Sequence, residues 1–266
     1  MKARSVVFDL FGDYVRYFGG EIRLRSLIEL AGIFGVSGPT IRVVTARMRN
    51  EGWFDTRREG RETVYVTTHK LLHLLDEGRE RIFTRMRSPW DGHWSMVIYS
   101  VPETDRPTRE QLRRTLSWLG FGPLATSTWI CPHDRLSLVA EECADVQTAQ
   151  LDLLTMSASG LPADRDLASR CWDLETLNGD YRQFLREHRP RLADFRREAV
   201  QGEAALLERL RLIHEYRKFP FRDPDLPIEL LPAGWVGHEA HDVFLESHRL
   251  LQEPAEHCYR DAVVVA

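Results

Sequence analysis

The feature that most constrains the fold is a tight turn at residues 36–39, which lies between two short helical patterns. In this turn Ser37 can cap the following helix, and Pro39 suits its first turn, where a helix leaves N–H groups unpaired. Apolar residues recur at helical spacing over 24–34 before the turn, and a second helical pattern runs over 39–50 after it. Two short helices joined in this way are typical of a helix-turn-helix.

The flanking segments extend this pattern to a winged helix-turn-helix. A helix is predicted over 4–18, and a β-hairpin over 53–67 with its turn at 58–61. A further helix is predicted over 69–83. The order helix, helix, turn, helix, hairpin, helix is that of a winged helix-turn-helix, which we expect over residues 1–87.

The middle of the chain alternates strand patterns with helical ones. A linker is predicted at 88–92, and a strong strand pattern, WSMVIYSV, follows at 94–101. The next segments are, in order, a helix over 107–119, a strand over 127–131, a mixed segment over 134–143, and a strand or helix over 149–156. This succession predicts a small ferredoxin-like domain.

The last part of the chain is predicted to be helical. Apolar residues recur at helical intervals over 172–185 and 206–216, and a final helix is expected over 239–252. Four prolines within 219–232 predict extended or broken backbone there. The sequence therefore predicts an α+β fold of three domains, which are a winged helix-turn-helix (1–87), a ferredoxin-like middle domain (88–160) and a helical C-terminal domain (161–266).

The charge of the chain is unevenly distributed. The net charge is −4, which by itself argues against a nucleic-acid-binding protein. However, residues 1–85 hold 15 basic and 11 acidic residues, whereas the remainder holds 21 basic and 29 acidic residues. A slightly basic N-terminal part on an acidic body suits a regulator that touches DNA at one end only.

Cysteine spacing and hydropathy indicate the compartment. The four cysteines form no C-x-x-C pair, so a disulfide framework or a zinc finger is not expected. No apolar run approaches the roughly 20 residues that span a bilayer. We therefore expect a cytoplasmic protein that does not contact a membrane.

The helical pattern over 39–50 separates into two faces. At about 100° per residue, Ile41, Val44, Thr45 and Met48 share one face, which can pack on the preceding helices. The opposite face carries small and basic side chains and can enter the major groove of DNA. On this basis we expect Thr40, Val43 and Arg47 to contact base edges, and Arg42 and Arg49 to contact phosphates.

The predicted hairpin turn is also basic. Arg57, Arg58 and Arg61 surround Gly60, and a basic tip suits the minor groove or flanking phosphates. The alternative is a winged helix that contacts another protein or has an architectural role, with a solvated charged face. Sequence preference and a steep salt dependence of DNA affinity would distinguish the two interpretations.

Three further motifs could indicate catalysis or metal binding. Ser100, Glu103 and Asp105 follow the strand at 94–101, where a metal-dependent nuclease of this fold would place a carboxylate, but Ser100 is a poor magnesium ligand. His238 and His241 are three residues apart, rather than the four of the zinc-protease motif, with His248 further along.

Cys131-Pro132-His133 could hold a thiol nucleophile, although a buried small residue is the simpler interpretation. Taken together, these motifs favour neither catalysis nor metal binding. The sequence therefore predicts a protein without enzymatic activity, metal or cofactor, with a nuclease as the less favoured alternative.

Several longer motifs resemble one family. They are Trp90-Asp91-Gly92-His93-Trp94, Tyr99-Ser100-Val101-Pro102-Glu103, Trp118-Leu119-Gly120-Phe121-Gly122-Pro123-Leu124 and Phe219-Pro220-Phe221-Arg222-Asp223-Pro224-Asp225-Leu226-Pro227. In this order, and together with the helix-turn-helix segment, they resemble the PaaX-type regulators, which repress phenylacetate-degradation genes. The resemblance extends over nearly the whole chain.

The resemblance implies how such a protein works. It implies a middle domain like the ferredoxin-like CRISPR-associated integration subunit, and a homodimer bound to double-stranded operator DNA at an imperfect palindrome. It also implies release from DNA by an aryl-CoA thioester, typically phenylacetyl-CoA. Two positions depart from the family pattern: Val236, where many relatives have proline, and Val43-Val44, where a small-residue pair is more usual. The second departure leaves the operator sequence open.

An acyl-CoA effector needs cations for its phosphates and an apolar slot for its acyl group. The cations that could bind the phosphates are Arg217, Lys218 and Arg222. The aromatic side chains that could line the slot are Trp172, Tyr181 and Trp235. The alternative is that the aromatic residues belong to the core and the cations are solvated.

Overall fold

The computed structural model describes residues 1–85, 89–146 and 148–264. These residues form helices and two small antiparallel sheets, which confirms the predicted α+β class. The boundary predicted at 87 and Ser88, the first residue of the predicted linker, lie outside the described residues.

Contacts divide the chain into two compact units. Unit 1 consists of the described residues of Met1–Thr84, Arg182–Lys218 and Gly237–Ala266, and unit 2 of those of Arg85–Tyr181 and Phe219–Val236. Each unit therefore draws on more than one of the three predicted segments, whose boundaries stay a prediction.

The N-terminal part of unit 1 contains four α-helices, one short 3-10 helix (Val15–Tyr17) and three strands among its described residues. In chain order the α-helices and strands are α1 (Ala3–Asp13), β1 (Glu21–Arg23), α2 (Leu24–Gly32), α3 (Gly38–Asn50), β2 (Phe54–Glu59), β3 (Glu62–Thr67) and α4 (His69–Phe83). The strands form a sheet in the order β1–β3–β2, with both pairs antiparallel. Two of these helices, α3 and α4, begin at a capping side chain: the hydroxyl of Ser37 accepts from the backbone N–H of Thr40, and that of Thr68 from Leu71.

The hairpin turn is tighter than predicted. Glu59 pairs with Glu62, so that only Gly60 and Arg61 connect the strands. Gly60 has a φ of 60°, a left-handed conformation that two-residue hairpin turns require and glycine adopts without strain. Arg58, which was predicted in the turn, therefore lies in β2.

The remaining helices of unit 1 come from the C-terminal half of the chain. They are α8 (Leu174–His188), which begins in unit 2, α9 (Leu192–Arg196), α10 (Gly202–Tyr216), α11 (Gly237–Leu250) and α12 (Gln252–Val264). The helix predicted over 239–252 corresponds to α11, and α12 was not predicted. Pro254 has no N–H to donate to Leu250, so the helix breaks at Leu251 and restarts with proline in its first turn.

Unit 2 is built on a four-stranded antiparallel sheet. Its elements are β4 (Trp94–Ser100), α5 (Arg106–Trp118), β5 (Gly122–Ala125), β6 (Thr128–Cys131), α6 (Leu136–Glu142), β7 (Gln150–Met156) and α7 (Leu161–Cys171). The strand order is β5–β6–β4–β7. The segment left as mixed is the helix α6, the segment left as strand or helix is the strand β7, and β5 was not predicted.

Both faces of this sheet are covered by apolar side chains. Leu112 and Leu116 of α5 lie in one buried cluster with Val97 of the sheet. The opposite face packs against Ala168 of α7 and against Leu226, which belongs to the proline-rich segment. Alternate residues of β4 therefore enter two different cores, as the two-residue period of a strand requires.

Gly122 of β5 packs closely against the side chains of Trp172 and Cys171. A Cβ atom added there would lie 2.5 Å from Cε2 of Trp172 and 2.8 Å from Cβ of Cys171. We expect Gly122→Ala to lower the free energy of unfolding by about 1–3 kcal/mol, because the core must shift to accommodate one methyl group. Urea unfolding followed by circular dichroism measures the change.

Gly179 is the matched control, because it lies inside α8 with no atom within 4 Å of an added Cβ. Gly179→Ala is expected to raise the free energy of unfolding by up to about 1 kcal/mol through helix propensity alone. Equal effects of the two substitutions would contradict the packing at Gly122.

In the part of the chain that the structure describes, no helix is both long and apolar enough to cross a bilayer.

Candidate nucleic-acid interface

The helix α3 has one buried and one exposed face. Ile41, Thr45 and Met48 are buried, and the hydroxyl of Thr45 donates to the backbone oxygen of Ile41 at 2.8 Å, which satisfies the polar group in the core. The exposed face carries Thr40, Arg42, Val43, Arg47, Arg49 and Asn50. Val44 and Ala46, which the helical pattern placed on opposite faces, are both half-buried.

The exposed face of α3 carries positive charge only. The helix contains three arginines and no acidic residue. Among the described residues the side chain of Arg42 makes no hydrogen bond or ion pair, and that of Arg49 donates only to the side chain of its neighbour Asn50, at 3.3 Å. These two guanidinium groups are therefore available to an anionic partner.

A carboxylate orients the third arginine. Nε of Arg47 donates to Oε1 of Glu51 at 3.1 Å. The other oxygen of Glu51 lies 2.6 Å from the guanidinium of Arg4 and accepts from the indole N–H of Trp53 at 2.9 Å. These hydrogen bonds, first that of Arg4 and then that of Trp53, lower the pKa of Glu51 to about 2, so that Glu51 is ionised at neutral pH.

Four charged side chains form a ladder across the three-stranded sheet. Arg57 lies 2.7 Å from Glu21 and 3.5 Å from Glu59, and Arg23 lies 3.1 Å from Glu59. Val64, the direct cross-strand partner of both arginines, is buried beneath them. Arg57, predicted to contact DNA, thus has its charge balanced within the sheet. Within the described residues the side chain of Arg58 donates only to the backbone oxygen of Arg61, at 3.4 Å.

Sequence analysis missed the acidic partners of these arginines. Glu51 lies four residues after Arg47, a spacing that pairs side chains on a helix and could have been recognised. The partner of Arg57, Glu21, lies in β1, which is three residues long and gives no periodic signal.

Buried charges hold α1, which packs against α3, to the C-terminal helices of unit 1. Nε of Arg209 in α10 lies 3.0 Å from Asp13 of α1, and Nε2 of His248 in α11 lies 2.9 Å from the same carboxylate. Burial raises the pKa of Asp13, but the charges of His248 and Arg209 outweigh it, and the net pKa is lowered. Asp13 is therefore ionised although it is buried.

Asp9, one turn earlier in α1, makes a second buried contact. Nδ1 of His214 lies 3.1 Å from its carboxylate, and Nε of Arg217 lies 3.3 Å away. Here burial dominates and raises the pKa of Asp9, with partial compensation from His214. The two acids, four residues apart, therefore face α10 from one side of α1.

Comparison with known proteins identifies the family. Three family models match consecutive parts of the chain: PaaX-like protein at residues 2–71, PaaX protein central Cas2-like domain at 87–168, and PaaX-like protein C-terminal domain at 172–261. The transcriptional repressor PaaX of Escherichia coli (strain K12) is 33% identical over 267 residues, which cover 94% of this chain and 80% of that protein. The chain belongs to the PaaX-like family. The family resemblance of the sequence motifs is thereby confirmed.

A solved structure is similar to this PaaX-like chain over almost its full length. It is the uncharacterized protein Rv0674 from Mycobacterium tuberculosis, with a TM-score of 0.64, 25% sequence identity, and coverage of 97% of this chain and 98% of that one.

The residues predicted to bind the effector of this PaaX-like chain are distributed over both units. In unit 2, Trp172 stacks on Trp94, and Tyr181 is fully buried against Trp235. Arg222, also in unit 2, lies 2.6 Å from Asp180. In unit 1, Arg217 pairs with Asp9 as described, and Lys218 is exposed. The aromatic residues thus contribute to packing, and the effector set stays a prediction.

Two clefts in unit 1 contain none of these residues. One, of about 450 Å³, is lined by Arg249, Gln252, Glu253, Glu256, His257 and Arg260. The other, of about 390 Å³, is lined by Glu187, His188, Arg191, Arg211 and Glu215.

Two histidines of the zinc-like motif, His241 and His248, have other partners. Nδ1 of His241 lies 2.9 Å from the hydroxyl of Tyr216, and His248 contacts Asp13. Within residues 1–85, 89–146 and 148–264, one group has the spacing of metal ligands, namely Glu187, His188 and Glu215. In this group His188 Nε2 already lies 2.7 Å from Glu215.

The nuclease-like and thiol motifs also have structural explanations. Asp105 caps α5, since one oxygen accepts from the backbone N–H of Thr108 at 3.2 Å and the other from the hydroxyl of Thr148 at 2.8 Å. Cys131 is buried, and burial raises its pKa to about 11. Such a thiol is protonated at neutral pH and is a weak nucleophile.

Proposed function

We propose that this PaaX-like chain is a sequence-specific DNA-binding transcriptional repressor that inserts α3 into the major groove of its operator. The observation that carries this proposal is the exposed face of α3, where three arginines lie without an acidic residue while the opposite face is buried. The relative from Escherichia coli is named a transcriptional repressor, which supports the same function.

The order of elements supports a winged helix-turn-helix in unit 1. Two helices, α2 and α3, are joined by a five-residue connection and followed by the β2–β3 hairpin, whose second strand, β3, also pairs with β1. This is the arrangement in which the second helix of the pair enters the major groove and the hairpin forms the wing. In unit 2 the order β-α-β-β-α-β and the strand order β5–β6–β4–β7 favour a ferredoxin-like domain.

The exposed side chains of α3 divide into two roles. In this proposal Thr40, Val43 and Arg47 contact base edges, and Arg42 and Arg49 contact phosphates; all five side chains are exposed. At the hairpin, Arg58 and Arg61 would contact flanking phosphates. Arg57 would take part only if DNA replaced Glu21 and Glu59 as its partners.

The first experiment measures the affinity of the full chain for the region upstream of its own gene by fluorescence anisotropy, over a range of salt concentrations. Arg42→Ala and Arg49→Ala are expected to weaken specific and random DNA alike. Each should reduce the slope of log affinity against log salt by about 0.9, the contribution of one phosphate contact.

Arg197→Ala is the matched control, since Arg197 is an exposed arginine outside α3 that pairs with Asp194 at 2.6 Å. It should leave the slope unchanged. If the chain bound its upstream region no better than random DNA and with a shallow salt slope, the protein-interaction or architectural alternative would replace repression.

For regulation, we propose release from DNA by an aryl-CoA thioester that favours a different subunit arrangement of a homodimer. Two recognition helices of a dimer must lie about 34 Å apart to contact successive half-sites, so a change in their spacing weakens binding. The support is the family resemblance, which also motivates a role in the degradation of phenylacetate-type compounds. Phenylacetyl-CoA that bound tightly yet left operator affinity unchanged would contradict this effector.

A further inference from the structure

This inference rests on the proposed function and concerns which bases α3 recognises. Val43 is 70% exposed, whereas Ile41 and Met48 of the same helix are completely buried. Valine is a weaker helix former than lysine, glutamine or alanine, and here it contributes nothing to the core. Neither helix formation nor packing therefore explains an apolar side chain at the centre of the basic face.

Arg47 lies four residues after Val43 on the same face, and its guanidinium is oriented by Glu51. Only Nε is engaged, at 3.1 Å from Oε1 of Glu51, and among the described residues no hydrogen bond to the two terminal amino groups occurs. Glu51 cannot swing freely, because Arg4 and Trp53 hold its other oxygen. Glu51, itself held by Arg4 and Trp53, thus orients the guanidinium of Arg47 and leaves its two terminal amino groups free to donate hydrogen bonds.

The chemistry of the major groove matches these two side chains. Guanine offers O6 and N7 to the paired N–H groups of an arginine, and thymine offers its 5-methyl group to an apolar side chain. Four helical residues rise about 6 Å, which is close to two base-pair steps of about 3.4 Å.

We propose that α3 recognises a thymine methyl group through Val43 and a guanine through Arg47, at most about two base pairs apart, with Glu51 as the positioning residue for Arg47. Each operator half-site then contains such a thymine and guanine.

The test uses the full chain and chemically altered operators. Footprinting of the upstream region first gives the half-site. Deoxyuridine then replaces each thymine in turn, which removes one methyl group, and 7-deazaguanine replaces each guanine, which removes N7. At one thymine we expect the Kd to rise about threefold to fivefold, the loss of one buried methyl contact. At one guanine within two base pairs we expect a rise of about tenfold.

Variants connect each base to its side chain. Val43→Ala should bind the thymine and uracil operators equally while retaining sensitivity to 7-deazaguanine. Glu51→Ala should lose sensitivity to 7-deazaguanine but keep its sensitivity to uracil. Glu51→Gln, whose amide oxygen can still accept from Nε of Arg47, should restore part of the discrimination, and a merely structural role of Glu51 would affect both substitutions alike.

The results separate this inference from the proposed function. Suppose that the chain binds its operator specifically, but that Val43→Ala leaves the effect of every uracil substitution on the Kd unchanged, or Glu51→Ala leaves the effect of every 7-deazaguanine substitution unchanged. Either result would overturn the inference and leave the proposal of a DNA-binding repressor intact. Absence of any preference for the upstream region would instead overturn the proposed function.

Discussion

Replacing Arg209 with leucine is expected to lower the free energy of unfolding by about 3–5 kcal/mol, because it leaves a buried carboxylate without its arginine partner. The side chains of Arg209 and Asp13 are 4% and 2% exposed, and they lie 3.0 Å apart. Arg209 also donates to the backbone oxygen of Gln252 at 3.5 Å and lies over the ring of Tyr14. Urea unfolding at pH 7, monitored by circular dichroism, measures the loss.

Arg211 provides the matched control for this substitution. It belongs to the same helix, α10, is half exposed, and lies 4.0 Å from Glu208. A surface pair of this kind contributes at most about 1 kcal/mol, so Arg211→Leu should change stability little. If Arg209→Leu were no more destabilising than Arg211→Leu, the buried contact with Asp13 would be energetically unimportant.

The pH dependence gives a second measurement of the same contact. In the native protein the pKa of Asp13 lies below its ordinary value of 3.8, so its contribution to stability is present above that pH and is lost as the pH falls through the lowered pKa. In Arg209→Leu the carboxylate is penalised by burial with less compensation. Protonation of Asp13 then removes the uncompensated charge. The difference in free energy of unfolding between the variant and the native protein should therefore shrink as the pH is lowered towards 4.

Unit 2 contains a comparable contact, and Arg85→Leu is expected to lower the free energy of unfolding by about 3–5 kcal/mol as well. NH1 of Arg85 lies 2.6 Å from Asp223 and 3.3 Å from Asp225, and the hydroxyl of Tyr181 donates to Asp223 at 2.7 Å. The side chains of Arg85 and Asp223 are 6% and 2% exposed. Chemical denaturation followed by circular dichroism reports the loss.

Arg222→Leu is the control in the same unit, because Arg222 is half exposed and pairs with Asp180 at the surface. The double substitution Arg85→Leu/Asp223→Leu should recover part of the lost stability, since both buried charges are then removed. If the double variant lost more free energy of unfolding than the two single variants lost together, packing rather than the uncompensated charge would be the cause of the effect.

Much of the candidate interface could be predicted from the sequence because its signals are local. The cap at Ser37, the helical period of α3 and the glycine between β2 and β3 each act within a few residues, and they were sufficient to separate the buried face of α3 from the basic one. The helix α4 was predicted with its observed bounds, His69–Phe83. The motifs of the middle and C-terminal parts were sufficient for the family.

The charges that neutralise or orient the arginines could not be predicted in the same way. Arg57 is balanced by Glu21, which is 36 residues earlier in the chain, and the pairing depends on a three-residue strand with no period of its own. Arg47 was assigned to the interface without Glu51, and the fixed position of Glu51 depends on Arg4 and Trp53 from other elements. The arginines that could contact DNA were thus predicted from the sequence, but which of them already pair with an acidic side chain was not.

Local patterns that repeat over a few residues were enough to predict most helices and strands, the basic helix α3 and the family of this chain. The role of the charged residues of α1 depends instead on contacts between distant parts of the folded chain. Asp9 and Asp13 lie in an otherwise apolar helical pattern, and their partners are 205 and 196 residues away in α10. A buried acid is stable only where a distant cation meets it, and that meeting is a property of the folded chain rather than of any segment.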